Sequence, residues 1–317
     1  PLPSEVLGEA EAAVALGNWP DAVSAYQALM LHPGAAEVEV AEAKLGLARV
    51  YLAEEAYEEA IALLGDQVPV ATATAVAGTS VEELPDSGAT PTVTPTAAVT
   101  STTGVEATLL MADALRGAGS PITASRYYAA VLLAKPELGL YVNEWMGDAF
   151  LSAGHPLTAT QAYSRALTDA ETAPEKVWLL EKIAMAEAAD GDYTGAMAAY
   201  DAILDIARIP DYRATIMYRA ADTALAFGEA DDAYSRMITL TTAYPEADEA
   251  YEAMVKLVEG GQPVDEMLRG KVDYHAKAYG PAVQAFYRVT LGDPNHTGEP
   301  HYYAGLSFLA ADSPQLA

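Results

Sequence analysis

An alanine recurs along this chain at Ala22, Ala60, Ala124, Ala159, Ala196, Ala233, Ala282 and Ala317, and it constrains the fold more than any other feature. The intervals are 38, 64, 35, 37, 37, 49 and 35 residues. Five of the seven match the length of one antiparallel helix pair. The residues around the alanine repeat as well. A small residue sits mid-way in a first helix, a glycine turn follows, and an aromatic or apolar residue stands four positions after the alanine. The clearest copy runs Trp145, Gly147, Phe150, Gly154, Ala159, Tyr163, Ala166. Others run Ala184, Gly191, Asp192, Tyr193, Ala196, Tyr200, Ile203, then Gly117, Gly119, Ala124, Tyr128, Pro136, and Gly17, Trp19, Ala22, Tyr26, Leu29. A lone helix pair cannot bury its apolar face, so copies of this kind must stack into an array with a continuous core. All of these residues are expected in that core.

Two intervals are too long. The interval of 64 contains Asp66 to Gly104, with ten Thr, Pro69, Pro85, Pro91 and Pro95, and no Lys or Arg. Its Thr-Pro run cannot hold a helix, so the segment reads as a flexible insertion; its composition suits either a plain loop or O-linked sugars. The interval of 49 reads as an extra helix with Tyr251, Met254, Val255 and Val258 on one face, stopped by Gly260, Gly261 and Pro263. The expected organisation is repeats one and two over 1–65, the insertion over 66–104, repeats three to six over 105–245, the extra helix over 246–263, and repeat seven with the start of an eighth over 264–317. Tyr302, Tyr303, Gly305 and Phe308 open that eighth repeat. The chain is expected to continue past Ala317, because stopping there leaves an apolar face uncovered.

This pattern resembles the tetratricopeptide repeat family. The resemblance implies an all-α fold, a right-handed superhelical solenoid of about seven to eight helix pairs, in which the first helix of each pair lines a concave groove. Carried over position by position, that lining would include Asp113, Tyr141, Glu144, Asp148, Trp178, Glu181, Tyr218, Asp222, Lys271, Tyr274 and Tyr302. Asp113, Asp148 and Asp222 fall at equivalent positions in three repeats. Carboxylates beside Tyr and Trp suit a protein or peptide partner with basic groups, or glycan strands, since aromatic faces stack on cations and sugar rings.

Composition narrows the partners. The chain has 17 basic and 45 acidic residues, a formal net charge of −28. That balance works against nucleic acid and against anionic lipid surfaces. There is no Cys, which excludes disulfides, zinc–thiolate sites and a Cys nucleophile. No stretch approaches a membrane span, and no signal peptide is visible at the N-terminus, where Pro1 reads as the start of a processed or longer chain. No phosphate loop, dinucleotide fingerprint, nucleophile elbow or His-Glu-x-x-His occurs, so no cofactor, metal or catalytic residue is expected. Asp190-Gly191-Asp192 lacks the remaining positions of a calcium loop and falls on a repeat turn. His296 and His301, near Glu299, read as a surface pair. Asn295-His296-Thr297 fits a glycosylation sequon, and Glu54, Glu55, Glu58 and Glu59 read as a solvated face.

From Tyr244 to Ala317 the order Arg269-Gly270, Tyr274-His275-Ala276, Tyr279, Ala282, Phe286, Pro294 and His301-Tyr302-Tyr303-Ala304-Gly305 resembles the helical region of bacterial soluble lytic murein transglycosylases. In that family, helical repeats form a non-catalytic arm beside a lysozyme-like domain that cleaves peptidoglycan. The general acid there is a Glu followed by Ser, and this chain has no Glu-Ser dipeptide. The expectation is a non-catalytic binding and scaffolding arm of an extracytoplasmic bacterial cell-envelope protein, with any catalytic domain beyond Ala317. The competing expectation is a structural subunit that assembles a larger protein complex and has no link to peptidoglycan.

Overall fold

The computed structural model describes residues 1–68 and 101–312. Those residues form sixteen α-helices and one short 3-10 turn, Pro136–Leu138, with no strand among them. The chain divides into two compact units, Pro1–Glu171 and Thr172–Ala317.

The first unit holds four helix pairs. They are α1 (Pro3–Ala15) with α2 (Trp19–Met30), α3 (Glu37–Ala53) with α4 (Tyr57–Leu64), α5 (Thr102–Gly117) with α6 (Pro121–Ala134), and α7 (Gly139–Ser152) with α8 (Pro156–Asp169). The second unit holds α9 (Ala173–Asp190) with α10 (Tyr193–Ile206), and α11 (Pro210–Ala226) with α12 (Ala230–Ala243). A single helix α13 (Asp248–Glu259) follows, then α14 (Glu266–His275) with α15 (Tyr279–Gly292), and finally α16 (Glu299–Ala310).

Local chemistry sets the boundaries. Proline opens α6, α8 and α11, where its missing N–H is not needed and its φ already suits the helix. The Ser101, Asp192 and Asp265 side chains accept from the first-turn amides of Gly104, Gly195 and Leu268. Thr172 and Glu175 form a reciprocal capping box at α9. Each such cap is worth about 1 kcal/mol. The Ser101 cap also starts α5 at Thr102, within the segment expected to be insertion. Most of that Thr/Pro-rich stretch lies outside the described residues, as do residues 313–317.

The recurring alanine lies in the core of each second helix. All seven described copies, from Ala22 to Ala282, have no exposed surface. The residue four positions on, Tyr26, Leu64, Tyr128, Tyr163, Tyr200, Met237 or Phe286, is buried with it. Two glycines in first helices seat those rings. A Cβ on Gly147 would overlap Tyr163, and one on Gly270 would overlap Phe286. Helix α2 uses the same device against the next pair, its Tyr26 ring lying over Gly46 of α3.

Helix α13 keeps only part of the expected face: Met254 is buried and Tyr251 packs beside it, but Val255 and Val258 do not face the core. Ala253 and Leu257 join Ala214, Ala221, Met237 and Leu240 of α11 and α12, while Ala250 and Met254 join Val272 of α14. Tyr251 is half-buried, and Val255 and Val258 point outward. The two alanines let the neighbouring helices approach closely, and Met254 and Leu257 fill the space beside them.

Candidate functional site

The structure uses the equivalent aspartates of α5 and α7 to satisfy buried tyrosines. Tyr128 Oη donates to Asp113 Oδ1 at 2.6 Å, and Tyr163 Oη donates to Asp148 Oδ1 at 2.7 Å. Both rings are fully buried, and burial together with the neighbouring carboxylate pushes both phenols well above the ordinary tyrosine range. Arg116 Nε in turn donates to Tyr128 Oη at 3.3 Å. Glu144 is not part of an open surface: it is 2% exposed and lies close enough to Tyr163 to raise its phenol further. Helix α7 is covered on most sides, so Glu144, expected to face the groove, ends up inside.

In the second unit Asp222 and Glu181 each meet a cation from two helices further on. Asp222 of α11 pairs with Lys256 of α13. Glu181 of α9 accepts from Arg219 Nη1 of α11 at 2.6 Å and from the Tyr212 hydroxyl. Thr215 Oγ1 of α11 donates to Glu249 Oε1 of α13 at 2.5 Å. Lys256 Nζ also stands 4.9 Å from the centre of the Tyr218 ring, and Lys182 Nζ 5.0 Å from that of Trp178. Further on, Lys271 of α14 bonds Glu299 of α16 at 2.7 Å and faces the Tyr303 ring at 5.6 Å. Tyr274 is half-buried in a ring cluster with His275, Tyr279 and Tyr303.

Of the residues expected to line a groove, then, Asp113, Asp148, Glu181 and Asp222 are engaged within the chain. Tyr141, Trp178 and Tyr302 remain substantially open to solvent, at 51%, 42% and 64%. The partners that sequence reasoning missed are Arg116, Arg219 and Lys256. A signal for two of them existed: Glu181 and Arg219 are 38 residues apart, and Asp222 and Lys256 are 34 apart, one repeat in each case. In both pairs the opposite charges stand one repeat spacing apart and meet between helices two apart in the chain.

The Asp190-Gly191-Asp192 turn is structural. Asp192 caps α10, with Gly191 at φ 86 closing α9 in the left-handed conformation that glycine adopts without strain. The rings of His296 and His301 lie edge to face at 4.9 Å, but the adjacent Glu299 turns to Lys271. Among the described residues no three His, Asp or Glu side chains converge as a metal site. No described helix is long and apolar enough to cross a membrane. Glu54, Glu55, Glu58 and Glu59 are all exposed.

Residues 7–75 and 146–212 match the tetratricopeptide repeat model. Comparison with curated proteins gives no match. Among solved structures, a tetratricopeptide repeat protein from Parabacteroides merdae ATCC 43184 superposes with a TM-score of 0.52 at 14% identity, over 96% of this chain and 98% of that one. The apo form of RapI superposes with a TM-score of 0.50 at 13% identity, over 99% of each chain. The fold is an all-α, tetratricopeptide-like solenoid. The resemblance to lytic murein transglycosylases gains no support from the family model or from these two structures.

Proposed function

We propose that this chain is a non-catalytic binding array that scaffolds protein assembly, its first helices taking a protein or extended peptide partner. One observation carries the reading. In each compact unit a first-helix aromatic stays open to solvent, Tyr141 on α7 and Trp178 on α9, while Asp148, Glu181 and Asp222 are engaged within the chain. Rigid aromatic faces give contact area at little entropic cost, and they are the residues that dominate protein interfaces. Internally paired carboxylates are less free to take the hydroxyls of a sugar, which weighs against glycan strands as the ligand. An extracytoplasmic, cell-envelope setting belongs to the same proposal and rests on the residue order from Tyr244 to Ala317 alone, as does the narrower reading of the chain as a lytic-transglycosylase-like arm.

The test compares the full chain with Tyr141→Ala and Trp178→Ala, each alone, as immobilised bait in native extract and in sedimentation with insoluble peptidoglycan. Proteins retained by the wild type should fall at least about tenfold with one or both variants, since loss of a buried interfacial aromatic costs about 2 kcal/mol or more. Unchanged retention overturns the reading. Sedimentation with peptidoglycan that either variant abolishes would replace the protein partner with a glycan.

A further inference from the structure

We propose that the α14–α15 pair is a pH-sensitive joint, held firm while the Asp273 carboxyl carries a proton and loosened once it loses that proton. Asp273 stands nine residues before the register alanine Ala282. The same position holds Ala13, Tyr51, Leu115, Phe150 and Ala224 in other pairs, with Glu187 the one other acid. An acid has therefore been placed at a packing position. It is buried like its apolar counterparts, 4% exposed, and its Oδ2 takes no hydrogen bond. The nearest cation, Arg269 Nε one turn earlier on α14, is 3.8 Å away, too far for a hydrogen bond. Glu266, at the start of α14, spends Oε1 on Arg288 Nε of α15 at 2.8 Å, and its Oε2 is also buried without a partner.

The charges acting on Asp273 are thus Arg269 and Glu266 from its own helix and Arg288 from α15. The other neighbours bring their groups to other sides of α14. Helix α16 gives Glu299 to Lys271, and Glu246, between α12 and α13, faces His275 at 3.9 Å. Helix α13 meets Val272 and Leu268 with Ala250, Met254 and Tyr251. Two guanidinia already offset the two carboxylates, so a metal ion would be repelled; the species that relieves an unbonded buried carboxylate here is a proton.

Burial outweighs the two arginines and raises the Asp273 carboxyl to about 6. The folded state therefore holds this proton more tightly than the unfolded state does. The stabilisation is complete below the ordinary carboxylate range near 4 and is lost as pH rises through about 6. Lys271 and Tyr274 flank Asp273 on α14, so the joint lies under two residues of the candidate binding face. It does not depend on what that face binds.

The experiment measures hydrogen exchange over α14 and α15 in the full chain, wild type against Asp273→Asn, at matched pH. The comparison cancels the response of the other acids. Asn mimics the protonated form, so at about pH 8 the variant should open about a hundredfold less often than the wild type, the factor that two pKa units represent. At about pH 4 the two should agree within about twofold. Equal protection at both pH values overturns the proposal. Because Asn could disturb the packing, Asp273→Ala, which copies Ala224 and Ala13, should show the same loss of pH dependence. The carboxyl carbon of Asp273 in the unmodified chain should titrate near 6; a midpoint near 4 overturns the proposal whatever the variants do.

Discussion

The pairs α5/α6 and α7/α8 and the pairs α11/α12 and α14/α15 solve the same position in opposite ways. Eleven residues before the register alanine, the first two pairs carry Asp113 and Asp148, and the last two carry Asp222 and Lys271. Where the second helix presents a tyrosine, the aspartate turns inward and takes its hydroxyl. Where it presents Met237 or Phe286, there is no hydroxyl to satisfy, and the charge turns onward to Lys256 of α13 or Glu299 of α16. Pair α3/α4 follows the second rule, with Leu64 on the second helix and Arg49 reaching Glu106 of α5. One side chain thus either locks its own pair or links it to the next. The linked form needs cations, and eleven of the seventeen basic residues lie in Thr172–Ala317.

If Tyr163 locks its pair, removing the ring should cost most. Tyr163→Ala empties a fully buried site over Gly147, and the expected loss is about 4 kcal/mol, read from the urea midpoint. A loss under about 1 kcal/mol would mean the pair holds together without it. Next, Gly147→Ala forces a methyl into the Tyr163 ring and should cost about 2 kcal/mol. Gly8→Ala is the control, because a Cβ on that exposed helical glycine meets nothing within 4 Å; it should stabilise by about 0.5 kcal/mol.

Deleting only the hydroxyl sharpens the contrast. Tyr163→Phe should cost about 1.5 kcal/mol, a hydrogen bond to a charged group, and the cost should barely change with salt. The same bond has an alkaline signature. Since the Tyr128 and Tyr163 phenols are raised, the stability they contribute is complete below pH ~10 and is lost only as pH rises beyond the ordinary tyrosine range. Absorbance at ~295 nm should show Tyr128 and Tyr163 staying un-ionised until the fold opens, together with Tyr212 and Tyr193, whose phenols burial and a bonded carboxylate also raise. Lys256→Gln should have the smallest effect, about 0.5 kcal/mol at low salt, because its partner Asp222 is more than half exposed. That effect should vanish in ~1 M salt. A salt-insensitive loss there would mean that Lys256 acts through its contact with the Tyr218 ring and not through the ion pair.

Much of the fold was legible. The period, the buried register alanines and the rings four residues on all follow from local pattern, because each helix pair meets neighbours built to the same plan. The candidate site was legible only in part. Tyr141, Trp178 and Tyr302 were marked by position and are open, but Glu144 was marked by the same rule and is buried. Periodicity gives the direction of a side chain from its own helix. It does not say which residue of another helix, one repeat away, will already be there. Helix α13 shows the same limit: of the face its spacing marks, Met254 is buried, but Val255 and Val258 face out while Ala250, Ala253 and Leu257 complete the contact.

The sequence by itself determined an all-α array, its period and its close-packed points, because those depend on spacing within 35 to 38 residues of chain. Only the tertiary structure decided where the charges go. Asp148 turns inward because Tyr163 brings a hydroxyl to it, Asp222 turns outward because Met237 brings none, and Asp273 is left without a hydrogen bond because Arg269 falls short of it. A charge settles on the strongest partner within a few ångströms, and that choice is made only once the helices have met.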